Sequence, residues 1–139
     1  MWTKSYSKTV KNLNTAEVWN VWTDVNQWHT WQDDIEFAKL NGEFRKGGLI
    51  HFKPKGGPKI KLELTEVKPN SVFVDLTRFP FARMFDSHEI IDHGENLEIK
   101  STIRIDGPLS FLWRKLVAEN VAKGLEEQTD RLIEKVKNG

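Results

Sequence analysis

Four polar side chains of types suited to acid–base or binding chemistry are Arg78, Asp86, His88 and Ser101. Asp86 and His88 are two positions apart, and side chains at that spacing lie on the same face of a β-strand. The unperturbed pKa of a histidine, about 6.5, is close to neutrality. His88 is therefore the candidate catalytic acid or base, and all four residues are candidate ligand contacts.

The last predicted hairpin brings two of these side chains together. Gly94-Glu95 suits a two-residue turn, because glycine at the first central position favours such turns. That turn sets His88 opposite Ser101, on the apolar face of the last predicted strand.

The preceding hairpin is predicted to turn around residues 80–83. The register that keeps apolar residues side by side places Leu76 beside His88. In the same register Arg78 lies beside Asp86 and points inward. A shift by one residue would bury Glu89 at considerable cost. The apolar neighbours expected around the polar cluster are Leu76, Ile90, Ile99 and Ile103.

Two interpretations of this cluster are open. In the first, the polar groups pair with one another and have only a structural role, with Arg78 paired to Asp86 and His88 hydrogen-bonded to Ser101. In the second, Arg78 binds a carboxylate or enolate oxygen of a ligand, since a buried guanidinium without a partner is costly.

A metal centre and a nucleophilic serine are both disfavoured. The other three histidines have no paired spacing that would bring them to a metal with Asp86 and His88. Ser101 lies in no strained turn of the kind that activates a nucleophile. The sequence therefore predicts no metal and no cofactor.

Four of the six tryptophans lie within residues 18–34, as Trp19, Trp22, Trp28 and Trp31. Trp19 and Trp22 occupy a predicted helix whose apolar face must pack on a sheet, which favours a core position. Trp28 and Trp31 lie in or after a second short helix, where a pocket wall and plain core are equally compatible with the sequence. A stacking platform for nucleic acid is disfavoured, because the segment contains no Lys or Arg.

Composition limits the class of protein. A chain of 139 residues fits one domain, 1–139, and can bury a substantial core. The net charge of +1, from 21 basic and 20 acidic residues, gives no overall footprint for nucleic acid or an anionic membrane. The absence of cysteine excludes disulfides and thiol catalysis. No apolar run exceeds three residues and no secretory signal is evident, so a soluble cytoplasmic protein is expected.

The order of predicted elements indicates an α+β fold. A strand at residues 2–10 precedes two short helices, the first capped by Asn14 and Glu17. About six strands follow between residues 35 and 106, with a bulge near Thr65. Apolar residues at helical spacing then predict one long amphipathic helix from 109 to about 137. Short connections make the sheet antiparallel, and the long helix must cover its concave face.

Several segments resemble the START-like superfamily, also called SRPBCC, which includes polyketide cyclases/dehydrases and lipid-transfer proteins. AEVWNVWTDVNQWHTW is similar to its opening helix pair and LNGEFRKGG to its glycine turn. FPFARMFDSHEI and GENLEIKSTIRIDGPL resemble its last strands. The resemblance implies a helix-grip fold, a curled antiparallel sheet of about seven strands around the C-terminal helix. It also implies an internal cavity for hydrophobic or amphipathic small molecules.

The expected function is binding of a lipid-like or polyketide-like molecule in that cavity, without nucleic acid or integral membrane association. Cyclase or dehydratase activity is open, since in such chemistry the cavity folds a reactive substrate while one or two polar groups move protons. A protein-interaction or regulatory module on the same fold is the alternative. Large exposed apolar or charged patches would favour that alternative.

Overall fold

A seven-stranded antiparallel sheet dominates the computed structural model, which describes residues 1–139. The strands are β1 (Trp2–Lys11), β2 (Ile35–Asn41), β3 (Leu49–Pro54), β4 (Ile60–Lys68), β5 (Val72–Phe79), β6 (Ala82–Asp92) and β7 (Asn96–Asp106). Their spatial order is β1-β7-β6-β5-β4-β3-β2. A register shift between Leu64 and Glu66 in β4 confirms the predicted bulge.

Two short helices connect β1 to β2. Helix α1 (Thr15–Thr23) begins with the predicted capping box. The side chain of Asn14 accepts a hydrogen bond from the backbone N–H of Glu17 at 2.9 Å, and the Glu17 carboxylate accepts one from the Asn14 N–H at 3.1 Å. A 3-10 helix (Val25–Thr30) follows, and the indole of Trp28 donates to the carbonyl of Trp22 at 2.9 Å. This bond holds the 3-10 helix against α1.

The C-terminal helix, residues 110–138, is less regular than predicted. It consists of α2 (Ser110–Trp113), a π-helical turn (Arg114–Ala118), α3 (Glu119–Lys123) and α4 (Leu125–Asn138). The wider π turn changes the phase of the side chains, so the predicted apolar stripe does not face the core throughout. Ala118 is fully buried, whereas Leu112 and Leu116 are exposed. None of the helices is long and apolar enough to cross a membrane.

The β6–β7 hairpin has the predicted register. His88 lies opposite Ser101 and Ile90 opposite Ile99. Gly94 adopts a φ of +92°, a conformation that glycine reaches without steric cost. The local turn chemistry was therefore sufficient to predict this pairing.

The predicted register of the β5–β6 hairpin is wrong. Phe79 pairs with Ala82, so the turn contains only Pro80 and Phe81. As a result His88 lies opposite Phe73 instead of Leu76, and Asp86 lies opposite Asp75 instead of Arg78. The inward face of β5 consists of Phe73, Asp75, Thr77 and Phe79. The apolar pairing used for the prediction instead selected the outer face of this strand.

Two apolar clusters form the core. The larger one packs α1, the 3-10 helix and α4 against all seven strands, and Phe73 is its largest fully buried side chain. The smaller one packs residues around Ala118 and Leu125 against β6 and β7. Residues that border both clusters line a cavity between the sheet and the C-terminal helix.

Candidate ligand-binding cavity

The cavity has a volume of about 380 Å³ and lies between the strands β3 to β6, the 3-10 helix and the C-terminal helix. Its apolar wall includes Trp22, Trp28, Trp31, Phe73, Met84 and Leu116. Pro58, Leu116 and Asn120 line the cavity and are exposed to solvent, so they mark its mouth. The volume is within the range of small-molecule sites, roughly 300–1,000 Å³.

Asp75, Asp86 and His88 form a buried polar cluster on the wall of the cavity. The Nε2 atom of His88 lies 3.2 Å from Oδ1 of Asp86 and 3.8 Å from Oδ2 of Asp75. Asp75 and His88 are only 5% and 7% exposed. Adjacent strands bring the three together, because Asp75 faces Asp86 across β5 and β6 and His88 follows two positions later.

Aromatic packing and one weak hydrogen bond set the orientation of His88. Its ring stacks on Phe73 with centroids 4.4 Å apart and an interplanar angle of 20°. The Nδ1 atom lies 3.5 Å from the hydroxyl of Ser101, behind the cavity wall. The Nε2 atom is thereby directed to the two carboxylates, which is the arrangement that can hold a proton between them.

The pKa values of the cluster are strongly perturbed. Burial raises the pKa of Asp75 to about 6, although contact with His88 opposes the rise. Burial by itself lowers the pKa of His88, but the negative charge of Asp86 and the contacts with both carboxylates outweigh it and raise that pKa to about 10. His88 is consequently a cation at neutral pH, and Asp75 is the group that exchanges protons closest to neutrality.

The charged side chains of the cavity wall are predominantly acidic. They are Asp34, Asp75, Asp86 and His88, and neither a lysine nor an arginine lines the cavity. With both buried carboxylates ionised and the imidazole protonated, the cluster carries one net negative charge. One buried polar atom of a wall residue, Nε1 of Trp31, makes no hydrogen bond within the protein. Buried polar atoms without partners are uncommon in proteins, and many of those that occur lie at functional sites.

The structure places four predicted site residues on the cavity wall. Asp86 and His88 line it together, as the sequence indicated, and so do Trp28 and Trp31. Trp22, which was predicted to be plain core, also lines the cavity.

Four other predicted site residues lie elsewhere, and the inward orientation of Arg78 is wrong. Its side chain is 66% exposed and pairs with Glu63 at 3.2 Å on the outer face of the sheet. Leu76 is buried on the same outer face, away from the cavity. Ser101 and Ile90 are buried in the protein interior without lining the cavity.

Asp75 belongs to the polar cluster but was not predicted from the sequence. It interrupts the apolar run VFVDL in the middle of a strand. A carboxylate in that position is costly unless it serves a buried site, and this was the available signal.

Asp75 also changes the assessment of metal binding. Together with Asp86 and His88 it offers three ligand atoms that all lie within 4.8 Å of one another. Two carboxylates and an imidazole are suitable ligands for a divalent transition metal. The spacing of the histidines gives no sign of such a site, because two of the three ligand side chains are carboxylates, but the cluster has the geometry to hold a divalent cation.

Comparison with known proteins shows the family and the fold. The family model for polyketide cyclase / dehydrase and lipid transport matches residues 1–137. A hypothetical protein from Helicobacter pylori superposes with a TM-score of 0.75 at 13% identity, over 96% of this chain and 87% of its own. Norcoclaurine synthase from Thalictrum flavum, solved with dopamine and hydroxybenzaldehyde, gives 0.72 at 13% identity, over 99% and 88%.

The di-domain ARO/CYC protein BexL gives a TM-score of 0.66 at 12% identity, over 98% of this chain and 49% of its own length. Identities this low show a common fold, and that fold is the predicted helix-grip arrangement. No curated protein sequence matches the chain significantly.

Proposed function

Because the chain belongs to the polyketide cyclase/dehydrase and lipid transport family, we propose that it binds an amphipathic small molecule whose polar end is cationic or donates hydrogen bonds. The observation that carries this proposal is the charge of the cavity wall, which has three carboxylates and one histidine but no lysine or arginine. The polar end of the ligand lies at Asp75, Asp86 and His88, and its apolar body lies against the aromatic wall.

The apolar body has a suitable environment. Trp22, Trp28 and Phe73 present large apolar surfaces to the cavity. Burial of such surface against a hydrocarbon or aromatic ligand contributes about 25 cal/mol per Å². These side chains contribute most of the affinity, and the polar cluster determines which head group is bound.

The head group is selected by charge. A ligand carboxylate or phosphate at the cluster would face Asp75 and Asp86 at short range, and the single positive charge of His88 already has both carboxylates as partners. A ligand ammonium group, or hydroxyl groups that donate hydrogen bonds, would instead pair with the carboxylate oxygens. Placing like charges together in a binding site reduces the binding free energy by roughly several kcal/mol. Anionic amphiphiles are therefore disfavoured.

Cyclase or dehydratase chemistry is the second candidate function, and Asp75 supports it. Its carboxyl group titrates near pH 6, so it can both take and release a proton at neutral pH. His88 is then the positively charged partner that holds the carboxylates in place, instead of the acid or base predicted from its residue type. In such a reaction Asp75 would remove a proton from the bound substrate and return it to the leaving oxygen.

Matched amphiphiles that differ only in the head group test the proposal. Decylamine, decanol and decanoate are titrated into the protein below their aggregation concentrations, with calorimetry as the readout. We expect decylamine to bind at least ~10-fold more tightly than decanoate, equivalent to ~1.4 kcal/mol. Asp75→Asn should remove most of that preference, while Glu63→Gln, at an exposed carboxylate on the outer face, should leave it unchanged.

The competing occupant is a divalent metal ion, so Zn²⁺ alone is titrated in parallel. Tight Zn²⁺ binding that Asp75→Asn abolishes, together with no head-group preference, would identify a metal centre and overturn the amphiphile proposal. Equal or tighter binding of decanoate would overturn it as well.

A further inference from the structure

All five large apolar side chains that the protein exposes lie at one end of the sheet. They are Met1, Phe81, Phe111, Leu112 and Leu116, with exposed fractions of 84%, 71%, 66%, 41% and 61%. We call these five residues the apolar tip. Strand β1 begins at this end, the β5–β6 turn lies there, and the C-terminal helix starts there directly after β7.

Local contacts hold these segments together. The backbone N–H of Leu109 donates to the carbonyl of Phe81 at 3.0 Å, which joins the helix start to the turn. The indole of Trp113 donates to the carbonyl of Pro80 at 2.9 Å. The guanidinium of Arg114 lies 5.1 Å from the centre of the Trp2 ring, next to Met1. The apolar tip is therefore one surface built from three parts of the chain.

Phe81 is the most informative member of the apolar tip. Its φ is +60°, in the left-handed region that glycine and asparagine favour and aromatic residues rarely adopt. The phenyl ring is nevertheless 71% exposed, so no internal packing compensates the strain. Residues whose backbone strain is not offset by packing are concentrated at functional surfaces.

Basic residues surround the apolar tip. Arg114 and Lys115 flank it on the helix, and both are exposed. The hairpin between β3 and β4 lies at the same end and adds Lys55, Lys59 and Lys61, which are exposed and have no ion-pair partner within 4.0 Å. Acidic groups also lie there, since the N–H of Lys55 donates to the carbonyl of Asp34 at 2.8 Å and Arg114 lies 3.8 Å from Glu119. The three lysines of the hairpin and Lys115 have no ion-pair partner, so this end carries unpaired positive charge.

We propose that the apolar tip docks peripherally on an anionic lipid membrane, with Phe81 and Phe111 inserted between head groups and the basic residues over them. Exposed aromatic and leucine side chains ringed by Lys and Arg are the pattern of proteins that lie on membrane surfaces. The lysines of the β3–β4 hairpin favour this occupant over a second copy of the chain, because two such ends would bring like charges together. The net charge of +1 gives no sign of a membrane-binding surface, because it averages over the whole chain.

Docking in this orientation places the mouth of the cavity against the lipid. Leu116 belongs to the apolar tip and also lines the cavity, and Pro58 lines it from the basic hairpin. An amphipathic ligand could pass between bilayer and cavity without crossing water. This last step rests on the proposed function, whereas the docking itself does not.

Co-sedimentation with vesicles tests the docking. The protein is mixed with vesicles of phosphatidylcholine alone and with vesicles of equimolar phosphatidylcholine and phosphatidylglycerol. We expect binding to the anionic vesicles, weakened by salt, and little binding to the neutral ones. Phe81→Gly should weaken it roughly 10-fold, and Lys59→Gln should weaken it roughly fivefold. Lys46→Gln, an exposed lysine at the opposite end, is the control and should have no effect.

Phe81→Gly is well suited to the test, because glycine fits the turn better than phenylalanine. Its thermal midpoint should equal or exceed that of the wild type, so loss of vesicle binding would not reflect unfolding. Its affinity for decylamine in solution should also be unchanged, which separates failure of docking from failure of the proposed function. Equal vesicle binding by Phe81→Gly and wild type would overturn the proposal. So would a concentration-dependent dimer that Phe81→Gly dissociates, because it would identify a second copy as the occupant.

Discussion

Asp75 and Asp86 face each other across β5 and β6, and the imidazole of His88 lies within 3.8 Å of both carboxylates. Like charges directly opposite on neighbouring strands destabilise a sheet. The protonated His88 offsets this repulsion and leaves one negative charge in a cavity whose other walls are mainly apolar. This relationship is the physical origin of both the stability and the ligand preference expected of the site.

Removing His88 should destabilise the protein strongly at neutral pH. His88→Asn deletes the positive charge that Asp75 and Asp86 share and leaves two buried carboxylates side by side. Breaking a buried ion pair in this way costs about 3–5 kcal/mol. Urea denaturation at pH 7 measures the loss. His93→Asn, which breaks the half-exposed pair of His93 with Glu98, should cost less than ~1 kcal/mol.

The pH dependence of stability should carry the signature of Asp75. Its pKa is raised from 3.8 to about 6, so between these values the native state holds a proton that the unfolded state has lost. Stability therefore falls as pH rises through this window. Asp75→Asn should remove that fall. The check is the urea midpoint of the wild type and of the variant, measured from pH 4 to 7. Parallel curves would contradict the burial of an ionisable Asp75.

His88 should add a second decline at higher pH. Its pKa is raised from 6.5 to about 10, so its stabilising contribution is fully present below 6.5. The contribution is lost as pH rises from 6.5 through 10, because in this range the native state still holds a proton that the unfolded state has released. The Nε2 proton of His88 followed by NMR titration gives a direct measurement. An imidazole that titrates near 6.5 would show that the carboxylates do not stabilise its charge.

Tryptophan fluorescence should locate the ligand. Trp28 and Trp31 line the cavity, whereas Trp19 is buried without lining it. Decylamine should change the emission of the wild type, and the double change Trp28→Phe and Trp31→Phe should reduce that response to the part that comes from Trp22, which also lines the cavity. Trp19→Phe should retain the full response. A full response in the double variant would place the ligand away from the 3-10 helix.

The parts of the fold that local chemistry determines could be predicted from the sequence. Asn14 and Glu17 gave the start of α1, and Gly94 gave the β6–β7 register. The predicted β5–β6 register was wrong because apolar residues also occupy the outer face of β5, where Leu76 is buried. The inner face carries Asp75, so the rule that apolar residues face inward selected the wrong face at the site.

The C-terminal helix was also only partly predictable. The spacing of Leu112 and Leu116 fits an α-helical stripe, and spacing alone gives no sign of the π turn at residues 114–118. Both leucines are exposed, and Leu116, which lies within that turn, is at the mouth of the cavity. Neither the cavity nor the apolar tip could therefore be derived from periodicity, since both depend on a local departure from it.

Arg78→Met distinguishes the observed register from the one predicted by apolar pairing. In the predicted register the change would leave a buried Asp86 without its partner and cost about 3–5 kcal/mol. In the structure Arg78 is mostly exposed and its partner is Glu63, also partly exposed, so the pair contributes roughly 0–1 kcal/mol. We expect a urea midpoint close to that of the wild type and unchanged affinity for decylamine. Asp86→Asn is the matched comparison, and it should alter both quantities because Asp86 contacts His88 inside the cavity. Strong coupling between Arg78→Met and Asp86→Asn in a double-mutant cycle would contradict the structure, since the two side chains lie on opposite faces of the sheet.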